Sequence, residues 1–205
     1  ADAPIVYLLH GWAGRGGQMA PFAGPLVERG YSVVAIDGPA HGKSDGKFAS
    51  ALLFRNAIRA AVDHHGPAHA IIAHSMGCAS TTLALDAGMR AQKLVFIGAA
   101  QTPTFWVIKF ARHLGLNERT IAAMKRSFED EFHVPWEAID IVKSAGRRTE
   151  PLLLVHDQDD RDTSWEYSAV IAKNWPGARL HLTQGLGHRR ILKSPEVIRT
   201  VIEFI

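Results

Sequence analysis

Ala73-His74-Ser75-Met76-Gly77 sets one serine among small residues, after the apolar run Ala70-Ile71-Ile72-Ala73 and before a helix-forming stretch from Gly77 to Leu85. A serine at so tight a strand-to-helix turn is held in a strained backbone with its hydroxyl exposed, as a nucleophile requires. The plainer reading of the same five residues is a serine helix cap. Upstream, Ile5 to Leu9 breaks into His10-Gly11-Trp12-Ala13-Gly14-Arg15-Gly16-Gly17. Glycines at that density free backbone amides to point inward, where they can hold the oxyanion of an attacked ester. Donors fixed in that way can contribute about 3 to 4 kcal/mol each. The candidate donors are the amides of Trp12 and Met76; the alternative is a simple glycine turn. Further on, Asp157, Asp159, Asp160 and Asp162 crowd the end of the apolar run 152–156, and Gly187-His188 sits on a glycine-flanked loop. A neutral imidazole near Ser75 would take its proton and return it to a leaving group, with one of those carboxylates orienting the ring. The chain order is serine, acid, histidine.

Elements that would position these groups alternate along the chain. Strand-like runs fall at 5–9, 32–36, 69–73, 93–97, 152–156 and 178–182, separated by stretches of helical periodicity. This pattern predicts an α/β fold: a mostly parallel sheet with helices on both faces. Phe54, Ile58, Ala61 and Val62 repeat at helical spacing after a Ser50 cap, and Ser164 caps another helix. The last helix opens at Ser194-Pro195-Glu196 and carries Ile198, Val201, Ile202 and Ile205 on one face. Residues 103–148 interrupt the alternation and are expected to form a short helical cap over the site. Trp106, Phe110 and Leu114 share one face of its first helix and Lys109, Arg112 and His113 another; Gly115 ends it. Asn117 caps a second helix with Ile121, Met124, Phe128 and Phe132 in register. Their apolar faces would line an acyl or alcohol pocket or simply cover the sheet. Trp12, Trp106 and Trp136 are the aromatic residues expected at a pocket wall.

His10-Gly11-Trp12, Asp37-Gly38-Pro39-Ala40-His41-Gly42-Lys43-Ser44-Asp45, Ala73 to Gly77, Val155-His156-Asp157-Gln158-Asp159-Asp160 and Gly187-His188, in this order and spacing, resemble the α/β-hydrolase fold family over essentially the whole chain. The resemblance implies Ser75 as nucleophile, His188 as base, Asp160 as its acid partner, and Trp12 and Met76 as oxyanion donors. His10, Gly11 and His74 join Trp106 and Trp136 as expected substrate-pocket residues. Two departures stand out. Ala73 replaces the first glycine of the elbow, and Asp157 replaces the glycine that usually follows the strand histidine, which makes Asp157 the second choice for the acid. The family also carries two further antiparallel strands at the N-terminal edge; this sequence opens at what would be the third, so that edge is expected to be absent or supplied by residues outside it.

The implied activity is a serine carboxylic-ester hydrolase acting on small-molecule esters without cofactor or metal. The same triad on a thioester, peptide or carbon–carbon bond, in perhydrolysis, or a ligand-binding member without chemistry, are the alternatives. With 205 residues, 47% of them hydrophobic, the chain is long enough for one sizeable core. A formal charge of +3 carried by scattered basic residues gives no nucleic-acid footprint. No apolar run approaches the ~20 residues of a membrane span, and no secretory leader is evident, so a soluble, cytoplasmic protein is expected, with a mature secreted form as the alternative. The one cysteine, Cys78, excludes an intrachain disulfide and reads as a small core residue. The 11 histidines show no metal-ligand spacing; His64, His65 and His69 read as surface or capping residues. Gly38 to Ser44 imitates a phosphate-binding loop but has three residues between its glycines instead of four. It is read as a turn that keeps Asp37 and His41 near the site.

Overall fold

Six short apolar runs pair side by side as β1 (Ile5–Leu9), β2 (Ser32–Ile36), β3 (Ala68–His74), β4 (Ala91–Ile97), β5 (Leu152–Asp157) and β6 (Arg179–Thr183). The computed structural model describes residues 3–102 and 104–205, the side chains of residues 104–106 and 109 lying outside that description. The strand order is β2-β1-β3-β4-β5-β6, and every pair is parallel. The helices, in chain order, are α1 (Ala23–Glu28), α2 (Ala51–His65), α3 (Met76–Asp86), α4 (Thr104–His113), α5 (Glu118–Phe132), α6 (Ile141–Ala145), α7 (Trp165–Asn174), α8 (Gly187–Arg190) and α9 (Pro195–Phe204).

Strand side chains alternate between two cores. Val6, Leu8, Ala70, Ile72, Val95, Ile97, Leu153 and Val155 meet Leu26 of α1 and Val197, Val201 and Ile202 of α9. Tyr7, Leu9, Ile71, Ala73, Leu94, Phe96, Leu152 and Leu154 meet α2, α3, α6 and α7. With both faces covered, the inner strands β1, β3, β4 and β5 read largely as continuous apolar runs, whereas β6 at the edge alternates. Sequence patterning placed β3 and β4 but shortened them, because Ala68, His74 and Ala91 carry no strand signal of their own. Ala68 is drawn in by pairing with Ile5 and Ala91, and His74 by pairing with Ile97.

The caps act as the sequence suggested. Ser50 accepts from the Leu53 amide at 3.1 Å, Ser164 from the Glu166 amide at 3.4 Å, and Asn117 from the Thr120 amide at 3.0 Å. Helix α3 is buried almost throughout. Its small residues let it lie against the sheet, and Ser80, Thr81 and Thr82 bond back to the carbonyls four residues earlier.

From β1 the chain runs outward to β2, then returns to place β3 on the other side of β1. The loops leaving the carboxyl ends of β1 and β3 therefore diverge, and the crevice between them is where a doubly wound sheet offers a ligand site. Between β4 and β5 the chain inserts α4, α5, a 3-10 turn at Trp136–Ala138 and α6. On α5, Ile121 is buried while Met124, Phe128 and Phe132 are half-buried, as their spacing predicts. Of the apolar face expected on α4, Phe110 is 62% exposed and Leu114, just past the helix end, 58%, whereas Ala111 is buried. Spacing reveals which residues share a face but not which face the neighbours cover. Among the described residues no helix is long and apolar enough to cross a membrane.

Candidate active site

Ser75 stands between β3 and α3 with φ 52° and ψ −117°, a conformation that L-residues avoid. Such a position costs about 1–3 kcal/mol and persists only where the surroundings over-determine it. Here the Ser75 amide donates to the Ile97 carbonyl at 2.9 Å, and its own carbonyl accepts from Cys78 at 3.0 Å. Two glycines make room for the turn. A Cβ on Gly11 would lie 2.8 Å from Ser75 Cβ, and one on Gly77 would lie 2.8 Å from the His10 carbonyl oxygen. Ala73, the departure from glycine, is fully buried with its methyl in the core beneath α2 and α3. Cys78 points inward, its thiol bonding the Ala73 carbonyl at 3.3 Å, and burial raises its pKa far from thiolate chemistry.

Opposite the serine, His188 lies on α8 and donates from Nδ1 to Asp160 Oδ2 at 2.7 Å. Because a carboxylate only accepts, that contact puts a proton on Nδ1, so in the neutral ring the lone pair is on Nε2. Asp160 Oδ1 accepts from the amides of Asp162 and Thr163, both at 2.8 Å. Burial pushes the Asp160 carboxyl up, but hydrogen bonds from His156, His188 and the Thr163 amide outweigh it and hold the pKa well below the usual range. Asp157 is fully buried and faces elsewhere. Its carboxylate accepts from Thr183 Oγ1 at 2.8 Å and from the amides of Leu186 at 3.0 Å, Gly187 at 2.9 Å and Asp159 at 3.1 Å. Burial raises its pKa too, yet these donors win and the net direction is down. Asp159 Oδ2 takes the Gly185 amide at 2.9 Å. Asp157 and Asp159 thus clasp the loop that carries His188, and Asp160 meets its ring.

The serine and histidine arms are tied together through His74. Its Nε2 donates to the His188 carbonyl at 2.9 Å, and the two ring centres are 4.6 Å apart. Burial first, and His188 next, lower its pKa to about 3, so the ring is neutral. Gly98, with φ 60°, closes the arrangement: a Cβ there would sit 3.2 Å from both Cε1 and Nδ1 of His188. Among the described residues, Ser75 Oγ and His188 Nε2 make no hydrogen bond in this conformation.

On the β1 side, Gly11 and Gly14 close a turn, the Gly14 amide bonding the Gly11 carbonyl at 3.1 Å, with Ala13 at φ 54°. Among the described residues, the amides of Trp12 and Met76 donate to no protein group, the latter as first residue of α3. The turn is braced from β2. Asp37 accepts from the amides of Gly16 at 2.6 Å and Lys43 at 2.8 Å, which lower its pKa, and His41 Nε2 accepts from Ala13 at 3.1 Å. A Cβ on Gly42 would collide with the Asp37 carboxylate, so this turn requires glycine.

Several expected pocket residues have other positions. His10 is fully buried, its Nε2 accepting from Gly38 at 2.9 Å and its Nδ1 donating to Gly11 at 2.7 Å. Burial lowers its pKa, and it acts as a strut between two loops. His74 is likewise buried, a tie rather than a wall, because its one donor is taken by His188. Gly11 packs directly beneath Ser75. Trp136 is 5% exposed and packs edge-on against Phe128, within the inserted helices. Trp12 is 59% exposed beside His41. The Trp106 side chain lies outside the described residues. Sequence reasoning missed Gly98 and gave His156 no task. Their signals were a glycine ending a buried strand and a histidine ending another, four residues before the acid.

A sequence model described as the alpha/beta hydrolase fold matches residues 4–128. No curated protein matches the chain in sequence. Among solved structures, an esterase from Exiguobacterium antarcticum is similar at TM-score 0.76 and 18% identity, over 99% of this chain and 92% of that one. Est1E from Butyrivibrio proteoclasticus, solved with ferulic acid, gives 0.76 and 22% over 99% and 88%. A monoacylglycerol lipase from Paleococcus ferrophilus gives 0.75 and 22% over 99% and 95%.

Proposed function

The chain belongs to the alpha/beta hydrolase fold family, and on that premise we propose that it is a serine hydrolase cleaving carboxylic esters of small to medium acyl chain. The observation that carries this reading is the His188–Asp160 contact at 2.7 Å, tied through His74 to a serine in a strained strand-to-helix turn. Ser75 Oγ attacks the ester carbonyl carbon while His188 Nε2 takes its proton. The oxyanion forms against the amides of Trp12 and Met76. The carbon–oxygen bond to the alcohol then breaks, His188 returning the proton to the departing oxygen. Water next attacks the acyl-serine with His188 again as base, releasing the acid and restoring Ser75. Asp160 keeps the imidazole in its Nδ1–H tautomer and stabilises the cation formed in each step. Closing the Ser75–His188 bond is left to substrate binding, since catalytic hydrogen bonds are often open in free enzymes.

Carboxylic esters are favoured because two similar structures are an esterase and a lipase, and a third holds ferulic acid, a carboxylic acid of modest size. Residues 103–148 serve as the cap in this reading, with α5 and Trp136 as its packed interior and α4 as its outer surface. The test is intact-protein mass spectrometry after a fluorophosphonate, with p-nitrophenyl acetate and longer esters assayed in parallel. One adduct on the wild type, none on Ser75→Ala, and turnover lost in that variant is the expected result. Turnover retained without Ser75 overturns the assignment.

A further inference from the structure

His156, next to last in β5, has no exposed surface and lies four residues before Asp160. Its Nε2 lies 3.0 Å from the Thr163 carbonyl oxygen and 3.2 Å from Asp160 Oδ2; its Nδ1 lies 2.7 Å from Ser168 Oγ on α7. Both neighbours of Nε2 only accept, so Nε2 carries a proton. Ser168 is also fully buried, and no partner other than His156 is found for its hydroxyl among the described residues, so that hydroxyl donates to Nδ1. One tautomer, uncharged, satisfies every group. Asp160 Oδ1 takes two amides and Oδ2 takes His188 Nδ1, while the His156 Nε2–H, bonded to the Thr163 carbonyl, also lies 3.2 Å from that same Oδ2.

Resting on the serine-hydrolase reading, we infer that His156 is a positioning residue for the general base: its Nε2–H, held against the Thr163 carbonyl with its positive end 3.2 Å from Asp160 Oδ2, steadies the carboxylate and tempers its hold on His188. A donor beside that oxygen withdraws negative charge from the contact with His188 and makes the imidazolium less favoured than a bare Asp–His pair would. It also stops the carboxylate from rotating toward the histidine's other approaches. The other titratable groups around the pair leave this task to His156. His74, from the end of β3, is neutral and spends its donor on the His188 carbonyl. Asp157 and Asp159 are turned to the backbone of 185–187. Arg161 and Asp162 are exposed on the acid loop, and the Arg190 guanidinium bonds the Gly185 carbonyl.

The experiment compares the wild type with His156→Phe and His156→Gln, reading kcat/KM for p-nitrophenyl acetate across pH beside fluorophosphonate labelling. Phenylalanine keeps the ring and removes the donor; glutamine keeps an N–H at similar reach. Expected for His156→Phe is an acid limb moved to higher pH by roughly half a unit and a plateau lowered roughly tenfold through looser orientation. His156→Gln should restore the limb. An unmoved limb in His156→Phe, or an equal shift in both variants, overturns the inference. Long-range 1H–15N NMR of the wild-type imidazoles tests it without any variant: protonated Nε2 and bare Nδ1 at His156 are expected, and the opposite tautomer overturns it. A wild type with neither label nor turnover overturns the serine-hydrolase reading, and this inference with it.

Discussion

Asp157→Asn keeps the shape of a buried side chain and removes one acceptor oxygen, so its effect can be worked from four contacts. The amide nitrogen is best tolerated at the Oδ2 position, where the Thr183 hydroxyl can rotate and accept in place of donating. The Leu186 amide, 3.0 Å away, then faces a donor and is stranded. Losing a bond to a charged acceptor and leaving its donor unpaired costs about 2–3 kcal/mol. The Gly187 and Asp159 amides keep a neutral oxygen, for which their bonds are roughly half as strong. Together these amount to about 3–4 kcal/mol, or roughly 6–15 °C in a domain of this length. Activity should fall further than stability alone implies, because Leu186 and Gly187 lead directly into His188. A displacement of the base by about 1 Å costs on the order of 100-fold. Thermal and urea unfolding would be followed beside kcat/KM on a p-nitrophenyl ester at a temperature where the variant is folded. A melting point within about 2 °C of the wild type, with undiminished kcat/KM, would show that Asp157 does not hold the histidine loop.

Three further outcomes are expected. Trp12→Pro suits the second position of a turn whose third residue has positive φ and deletes one proposed oxyanion donor. It should lower kcat about 100- to 1000-fold with circular dichroism unchanged, and a wild-type kcat would remove Trp12 from the site. Ser75→Gly relieves the unfavourable φ and should abolish turnover while raising stability by about 1 kcal/mol in urea unfolding; a destabilised variant would mean the turn is not strained. Asp37, Asp157 and Asp160 all have pKa values below those of free carboxylates. Their contribution is therefore complete above an unfolded value of about 3.9 and disappears as pH falls through the lower folded values. Acid titration of stability should be steepest below about pH 4, and Asp160→Asn should flatten it.

The inner strands were legible because parallel strands buried on both faces are largely apolar, whereas the edge strands Ser32–Ile36 and Arg179–Thr183, only partly buried, were legible by β-branched residues in the one and by alternation in the other. Their ends were not, since Ala68 becomes strand only by pairing with Ile5 and Ala91, and Ala91 by pairing with Ala68. Candidate chemistry was legible as residue types at loop positions, which is why Ser75 and His188 stood out. What each acidic side chain touches was not legible. Four aspartates within six residues have the same composition, and only the loop's path turns Asp160 to the imidazole and Asp157 to the backbone of 186–187. His10 and His74 were read toward the pocket from their proximity in sequence, whereas His10 spends both ring nitrogens, and His74 its Nε2, on groups within the protein interior. Gly98 was invisible because its contribution is the absence of a methyl group beside His188.

The left-handed serine also bears on how this protein can change over generations. Glycine at position 75 would suit the backbone better, so drift toward greater robustness leads away from the hydroxyl. A lineage relieved of its chemistry would be expected to abandon the serine early and keep the sheet. The strained residue is thus a sensitive record of whether purifying selection still acts on the reaction, readable from related genomes by asking what occupies that single position.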